Sequence, residues 1–333
     1  MSRPCIALIS DPTSSEGCAD VLAQAVDLLT GAPPVRVDSR HLAPGGSGRA
    51  VPDPDGLRLV LPEEGLDLVP DIVVLYEIPP HRRSPLAPLQ LLLAQRDAVT
   101  LAALPDAWRA ATEKNLTVER FRRDGVGHME TLVLSRPSPE DAAAALDKLG
   151  GDAWARPVVG TGGDDTFHIT GPDALHRAAD HYAHRGTDWL LSRDAGNTTT
   201  GGARHQFRVF VLHGRVVHAR EHIQPSPDTP CNTCQGAVPV HIAPPDLDPR
   251  LTELAVAATA SVGLPFAGVD LAVENGGVVF EVNVQPAFVD GELHTVAVPY
   301  IQAHLDAHAH ARRGGPAARP APLRDPSLNP DPM

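Results

Sequence analysis

Asp270, Glu281 and Asn283 place three oxygen-bearing side chains inside the otherwise apolar stretch "GVDLAVENGGVVFEVNVQPAF", Gly268 to Phe288. Two short apolar runs meet there at Asn275, Gly276 and Gly277, the turn chemistry of a two-stranded hairpin. Strand residues two apart share a face, so Glu281 and Asn283 point together, and a paired strand can bring Asp270 alongside. Clustered carboxylates resist burial unless a cation, a donor or a proton compensates, and a hard divalent ion is the commonest compensation for an oxygen-only set. The plainer alternative is a polar outer face beside a turn.

Cationic groups complement that cluster. "RPVVGTGGDD", Arg156 to Asp165, sets a cation on a strand before a glycine loop, and Gly160, Gly162 and Gly163 let backbone amides approach a phosphate closely. The loop is neither a Walker loop nor a dinucleotide fingerprint, and a surface hairpin is its alternative. Arg208 lies mid-strand in "QFRVFVLHG", where a buried arginine needs an anion and its planar fork suits phosphate; a solvent-facing strand edge is the other option. Lys114, in "ATEKNL", reads as an ordinary solvated helical residue when taken alone. "CNTC", Cys231 to Cys234, supplies two of the four ligands of a zinc site, with Cys5 and Cys18 far off in the chain; two loop cysteines, free or reversibly bridged, are the expectation.

The elements that must position these residues follow from period and punctuation. "CIALISD" reads as a buried strand and "SSEGCADVLAQAVDLLTG" as a capped helix ending at Gly31, with strands at "PVRV", "LRLVL" and "DIVVLYEI" and a loop over Ala43 to Gly56. A single helix "DAWRAATEKNLTVERF" should lead into strands "METLVLS", "WARPVV", "FHIT" and "DWLLSRD", alternating with helices "SPEDAAAALDKLG" and "PDALHRAADHYAHR". Beyond Ala195 the pattern is β-rich: a hairpin turning at His213 and Gly214, a helix "DPRLTELAVAATASVGL", the polar hairpin, and a last helix interrupted at Pro299 whose "HLDAHAHARR" reads as a solvated face. The chain is α/β (α+β), with expected units over 1–105, 106–194 and 195–312, and a disordered tail over 313–333.

At 333 residues there is room for two or three domains, and a net charge of -13 argues against a broad nucleic-acid or anionic-membrane surface. No apolar run approaches a membrane span, the start is too quickly polar for a signal peptide, and four cysteines are no disulfide framework, so the cytoplasm is the expected compartment.

Glycine loop, mid-strand arginine and Asp…Glu-x-Asn hairpin, in this order, resemble the ATP-grasp superfamily, and within it the RimK-like carboxylate-amine ligases. The resemblance covers about Asp106 to Ala311 and is strongest at "FRVFVLHGRVVHA" and "AGVDLAVENGGVVFEVNVQPAF". It implies three lobes: an N-terminal substrate lobe, a central lobe with a glycine-rich lid, and a C-terminal lobe with a magnesium site. It implies ATP and Mg2+, two ions, as cofactors, with Lys114 and Arg156 at the nucleotide, Gly160, Gly162 and Gly163 in the lid, and Asp270, Glu281 and Asn283 on the metal. "WLLSRDA" becomes the hinge strand whose backbone, at Leu191 and Ser192, reads adenine, with Asp194 near the ribose. Arg208 becomes the group holding the transferring phosphate.

Two departures stand out. Arg156 replaces the usual second lysine, and "NTCQGA" replaces an arginine-rich loop, so that Arg220 or His222 would have to supply the missing positive charge. The implied reaction converts a carboxylate to an acyl phosphate with ATP and lets an amine displace phosphate, on amino acid or peptide substrates, in a homodimer or homotetramer. The alternatives are a kinase acting on a small-molecule hydroxyl and an ATP-binding regulator without turnover.

Overall fold

β1 (Ile6–Ser10) forms where the sequence is apolar without alternation, and it is covered on both faces: it pairs in parallel with β2 (Val35–Asp38) and β6 (Ile72–Leu75). Between β1 and β2 runs α1 (Cys18–Thr30), which stops at left-handed Gly31, whose N–H returns to the Asp27 carbonyl. The computed structural model describes residues 3–96, 98–289 and 291–313, so the expected tail from Gly314 onward lies outside the described residues.

A small antiparallel sheet, β3 (Arg49–Asp53), β4 (Gly56–Leu61) and β5 (Leu66–Leu68), follows. β3 occupies part of the stretch expected to be a loop. Glycine and proline mark its two ends correctly, but pairing with β4, which buries Leu57, Leu59 and Leu61, draws the intervening residues into a strand. Short helices α2 (Pro80–Arg83) and α3 (Ala87–Gln95) lead to α4 (Pro105–Thr112) and α5 (Lys114–Asp124). The single helix expected here is broken at Glu113, which is extended with ψ 103°. The break makes Lys114 the first residue of α5, with its N–H on the Val158 carbonyl at 2.9 Å.

β7 (Thr131–Leu134), α6 (Pro139–Lys148), β8 (Ala153–Pro157), β9 (Phe167–Ile169), α7 (Pro172–Arg185) and β10 (Trp189–Arg193) build an antiparallel sheet in the order β7-β10-β8-β9. Ala145 and Leu146 of α6 and Leu175 and Tyr182 of α7 share a core with Trp189 and Leu191 of that sheet.

β11 (Arg204–Leu212) and β12 (Arg215–Gln224) turn at His213 and Gly214, both at positive φ, as the sequence indicates. With β13 (Val238–Ile242), β14 (Phe266–Ala272) and β15 (Val278–Asn283) they form a five-stranded antiparallel sheet ordered β13-β12-β11-β14-β15, and α8 (Pro249–Val262) packs on it. One π-helical turn, Leu293–Ala297, precedes α9 (Val298–Arg312), whose first turn takes Pro299 without a break. His304 of α9 is not solvated: it is buried, and its Nε2 accepts the Leu101 N–H at 3.2 Å. One apolar core runs from Ala7, Ile9 and Leu75 in the first sheet to Val209, Val269 and Val282 in the five-stranded sheet. No helix among the described residues is long and apolar enough to cross a membrane.

Candidate functional site

The register of the five-stranded sheet sets Asp270 directly opposite Arg208 on one side and Glu281 on the other. Arg208 and Asp270 form a two-pronged pair, Nε to Oδ1 and Nη2 to Oδ2, the latter at 2.8 Å. Burial alone would lower the Arg208 guanidinium, but Asp270 prevails and holds it above its ordinary value. Asn283 donates to Asp270 Oδ2 at 3.2 Å and to the Gly268 carbonyl at 3.3 Å. Gly268 is needed for clearance: a Cβ there would lie 2.5 Å from Pro286 Cβ and 3.2 Å from Arg208 Cδ.

Lys114 reaches the same corner from α5. Its Nζ lies 3.1 Å from Glu281 Oε1 and donates to the Gly160 carbonyl at 3.0 Å, so it is buried and not the solvated residue its local sequence suggests. Arg156 enters from β8. Its Nε is buried without a partner among the described residues, and burial lowers its guanidinium against the pull of Glu281 and Asp270. Two carboxylates and an amide in one corner thus face three cations. An all-oxygen donor set suits a hard divalent ion, and an unsatisfied buried guanidinium suits an anion such as phosphate, so the residues fit both groups.

The glycine loop is tethered at both ends. Gly160 is held by Lys114, and Asp165 bonds to His181 at 2.9 Å and pairs with Arg185 at 3.0 Å. Its middle docks on the cysteine loop, where Gln235 Nε2 donates to the Gly162 carbonyl and to Asp164, each at 3.3 Å.

These residues line a cavity of about 160 Å³ whose other end is apolar, walled by Val118, Phe121, Met129, Val279 and Phe280. Sequence reasoning missed this wall, although Phe280 directly precedes Glu281. Two hydroxyls interrupt it: Thr131 Oγ1 donates to the Met129 carbonyl at 2.9 Å and lies 2.9 Å from Ser192 Oγ. Thr131 has one proton and Met129 offers only a lone pair, so Ser192 is the donor between the two hydroxyls, and its own lone pairs are left for the cavity.

Leu191 and Asp194 are not part of the cavity lining. Leu191 is fully buried in the α6/α7 core, and its backbone sits between β7 and β8, because the alternation that aims Ser192 at the cavity turns Leu191 away. Asp194 accepts from Trp154 Nε1 at 2.6 Å and pairs with Arg204 at 2.8 Å; these partners hold its carboxyl below the ordinary range despite burial. Arg193 and Ala195 line the cavity in their place.

A second cavity, of about 310 Å³, shares Gly160, Thr161, Gly162, Arg208, Glu281 and Asn283 with the first and extends to residues 13–16, 77–83 and 232–234. Arg220 is on its wall. The guanidinium contacts Glu292, donates to the Ala287 carbonyl at 3.2 Å, and sends Nε–H to His222 Nε2 at 2.9 Å. Burial and the neighbouring Arg208 and Arg220 push His222 down to about 3, so of the two candidates for positive charge Arg220 carries it. Glu292, unforeseen in the sequence, is held below its ordinary range by His218 and Arg220 against burial. Cys231 is buried with its thiol on the His222 carbonyl at 3.1 Å and burial pushes it up to about 12, whereas Cys234 is exposed; both are free.

Residues 169–286 match a family model described as an ATP-grasp domain, the third family of its clade. No curated protein matches the chain. Among solved structures, the D-alanine–D-alanine ligase of Bacillus anthracis is similar with a TM-score of 0.65 at 14% identity, over 93% of this chain and 99% of that one. The ATP-grasp ligase PsnB, in complex with precursor peptide PsnA2 and AMPPNP, gives 0.63 at 15% identity over 91% and 98% of the two chains. The D-cycloserine synthetase DcsG gives 0.62 at 16% identity over 91% and 99%. The chain has the ATP-grasp fold.

Proposed function

We propose that this protein is an ATP-dependent carboxylate-amine ligase of the RimK-like kind, acting on an amino acid or peptide through an acyl phosphate. The observation that carries the reading is the corner of Lys114, Arg208, Asp270, Glu281 and Asn283, which lies where two cavities meet, one apolar at its far end and one polar throughout. A nucleotide in the first cavity would put its terminal phosphate at the mouth of the second. The solved ATP-grasp ligases of similar fold, two of them captured with ATP or AMPPNP, support the assignment.

The base would rest against Phe280 and Met129, with its exocyclic amino group donating to Ser192. Lys114 and Arg156 would hold the phosphates and Arg208 the transferring group, while the tethered 160–165 loop excludes water. Asp270, Glu281 and Asn283 would hold magnesium, which in such a site neutralises charge on the phosphate oxygens. A carboxylate in the second cavity attacks the terminal phosphorus and ADP leaves. An amine then attacks the acyl carbon, phosphate leaves with the former carboxylate oxygen, and Arg220 faces the charge that develops on the carbonyl oxygen. No covalent enzyme intermediate is required.

The test is ADP and phosphate release from MgATP with pairs drawn from amino acids and short peptides, for wild type and Glu281→Gln. Release that needs both a carboxylate and an amine, and falls at least about 100-fold in the variant, is expected. Phosphate recovered on a substrate hydroxyl would replace the ligase with a kinase.

A further inference from the structure

Arg83 stands at the end of the second cavity opposite the phosphate corner, and nothing in the mechanism above uses it. It terminates α2 on the loop that follows β6. Its Nε donates to the Ile78 carbonyl at 2.9 Å and its Nη1 to Thr112 Oγ1 at 3.0 Å, so the guanidinium plane is fixed from two sides. Nη2 has no hydrogen bond to the described residues and is not sealed from solvent; it opens to the cavity that Arg83 lines. Burial pushes the guanidinium down to about 10, against the pull of Glu16 and Glu281, so it keeps its charge at neutral pH. Its neighbour Arg82 is already used by Asp11, at 3.1 Å. Arg83 makes no ion pair among the described residues, although it is a held cation in a cavity also lined by Thr112, Ser14 and Ser15. A fixed guanidinium with a free edge recognises a carboxylate.

We propose that Arg83 anchors a carboxylate that does not react: the amine substrate is an α-amino acid, or a peptide through its C-terminal residue, held by its free carboxylate at Arg83 while its amine faces the phosphate corner. The inference rests on the ligase reading and narrows it. A free carboxylate on the amine partner gives a linear product ending in that carboxylate, whereas a lysine side chain within a peptide would leave Arg83 without a counter-ion. The chemistry of this cavity favours the first, because its lining has no aromatic residue and is mostly hydroxyl, amide and charged groups, suited to a small polar substrate.

The experiment is equilibrium binding, by thermal shift and calorimetry, of the L- and D-amino acids and of simple dipeptides to protein saturated with magnesium and a non-hydrolysable ATP analogue. Each compound is used as the free acid and as the primary amide. At least one free acid should bind and its amide should bind about 10- to 100-fold more weakly, the loss of one charge-assisted contact. Arg83→Met should erase that difference while leaving affinity for the nucleotide analogue unchanged, and Arg83→Lys should restore part of it. Equal binding of acid and amide, discrimination that survives Arg83→Met, or binding of no compound in either form would overturn the proposal. Turnover separates the two readings: ADP release that needs an amine but ignores its amidation keeps the ligase and removes the anchor, and absence of nucleotide binding removes the ligase.

Discussion

Arg208 and Asp270 are both almost fully buried, 7% and 5% exposed, and each is the other's main compensation. Removing one charge of such a pair leaves the other stranded, so Asp270→Asn should destabilise the protein by about 3 kcal/mol, read by urea unfolding at pH 7. A change below about 0.5 kcal/mol would mean that the pair is open to water. Ser192 makes a sharper prediction about the nucleotide. Because its lone pairs face the cavity, adenine's amino group is accepted and a guanine carbonyl is repelled, and MgGTP should bind roughly 10- to 100-fold more weakly than MgATP. Thr131→Val frees the Ser192 proton to turn and donate, and should shrink that ratio. The three metal-site residues were legible in the sequence because strand alternation has a period of two and the Asn-Gly-Gly turn limits the register. Asp194 was not, since its partners Trp154 and Arg204 arrive from β8 and β11, and local pattern carries no information about them.

At the scale of elements, the glycine loop depends on the cysteine loop beneath it. Gly163 has φ +77° and a Cβ there would stand 3.1 Å from Pro230 Cβ, so Gly163→Ala both strains the backbone and lifts the loop from its seat. The cost of about 1–2 kcal/mol should appear as a KM for ATP raised about 5- to 30-fold with a smaller change in overall stability. The hairpin and α5 make a second prediction. Lys114–Glu281 and Arg208–Asp270 hold each other's charges, so a phosphate arriving alone would strip cations from buried carboxylates, and metal and nucleotide should bind as a unit. Nucleotide affinity should therefore fall at least about 10-fold when magnesium is chelated, and affinity unaffected by chelation would contradict the exchange. Element types were mostly readable from apolar period and glycine stops. The break at Glu113 was not: residues 106–121 carry a continuous helical pattern, and the interruption comes from docking of Lys114 against the strand end at Val158. β3 escaped notice because its pairing partner, not its composition, makes it a strand.

For the whole molecule, the core that joins the first sheet to the five-stranded sheet places α2 and residues 13–16 over the phosphate corner, which is why one cavity can draw on both. Buried histidines also give the fold a pH limit. Burial holds His222 at about 3 and His304 at about 4, from an ordinary 6.5. The unfolded chain binds protons at these sites below pH 6.5 while the folded chain does not, so stability is complete above that value and declines as pH falls. By pH 5 each should have lost about 2 kcal/mol, and urea unfolding at pH 7 and pH 5 should differ by about 4 kcal/mol from these two groups; a flat profile would show that both histidines are solvated. His304 was misread because a helix near the C-terminus with several polar residues looks two-sided only once α1 and Leu101 are packed against it. The central claim is that a carboxylate oxygen attacks the terminal phosphorus of ATP, and isotope transfer tests it most directly. With the carboxylate substrate identified by the turnover panel and labelled with 18O, one labelled oxygen should appear in the inorganic phosphate for each amide formed. Phosphate free of label, or label retained in a phosphorylated product, would contradict the account.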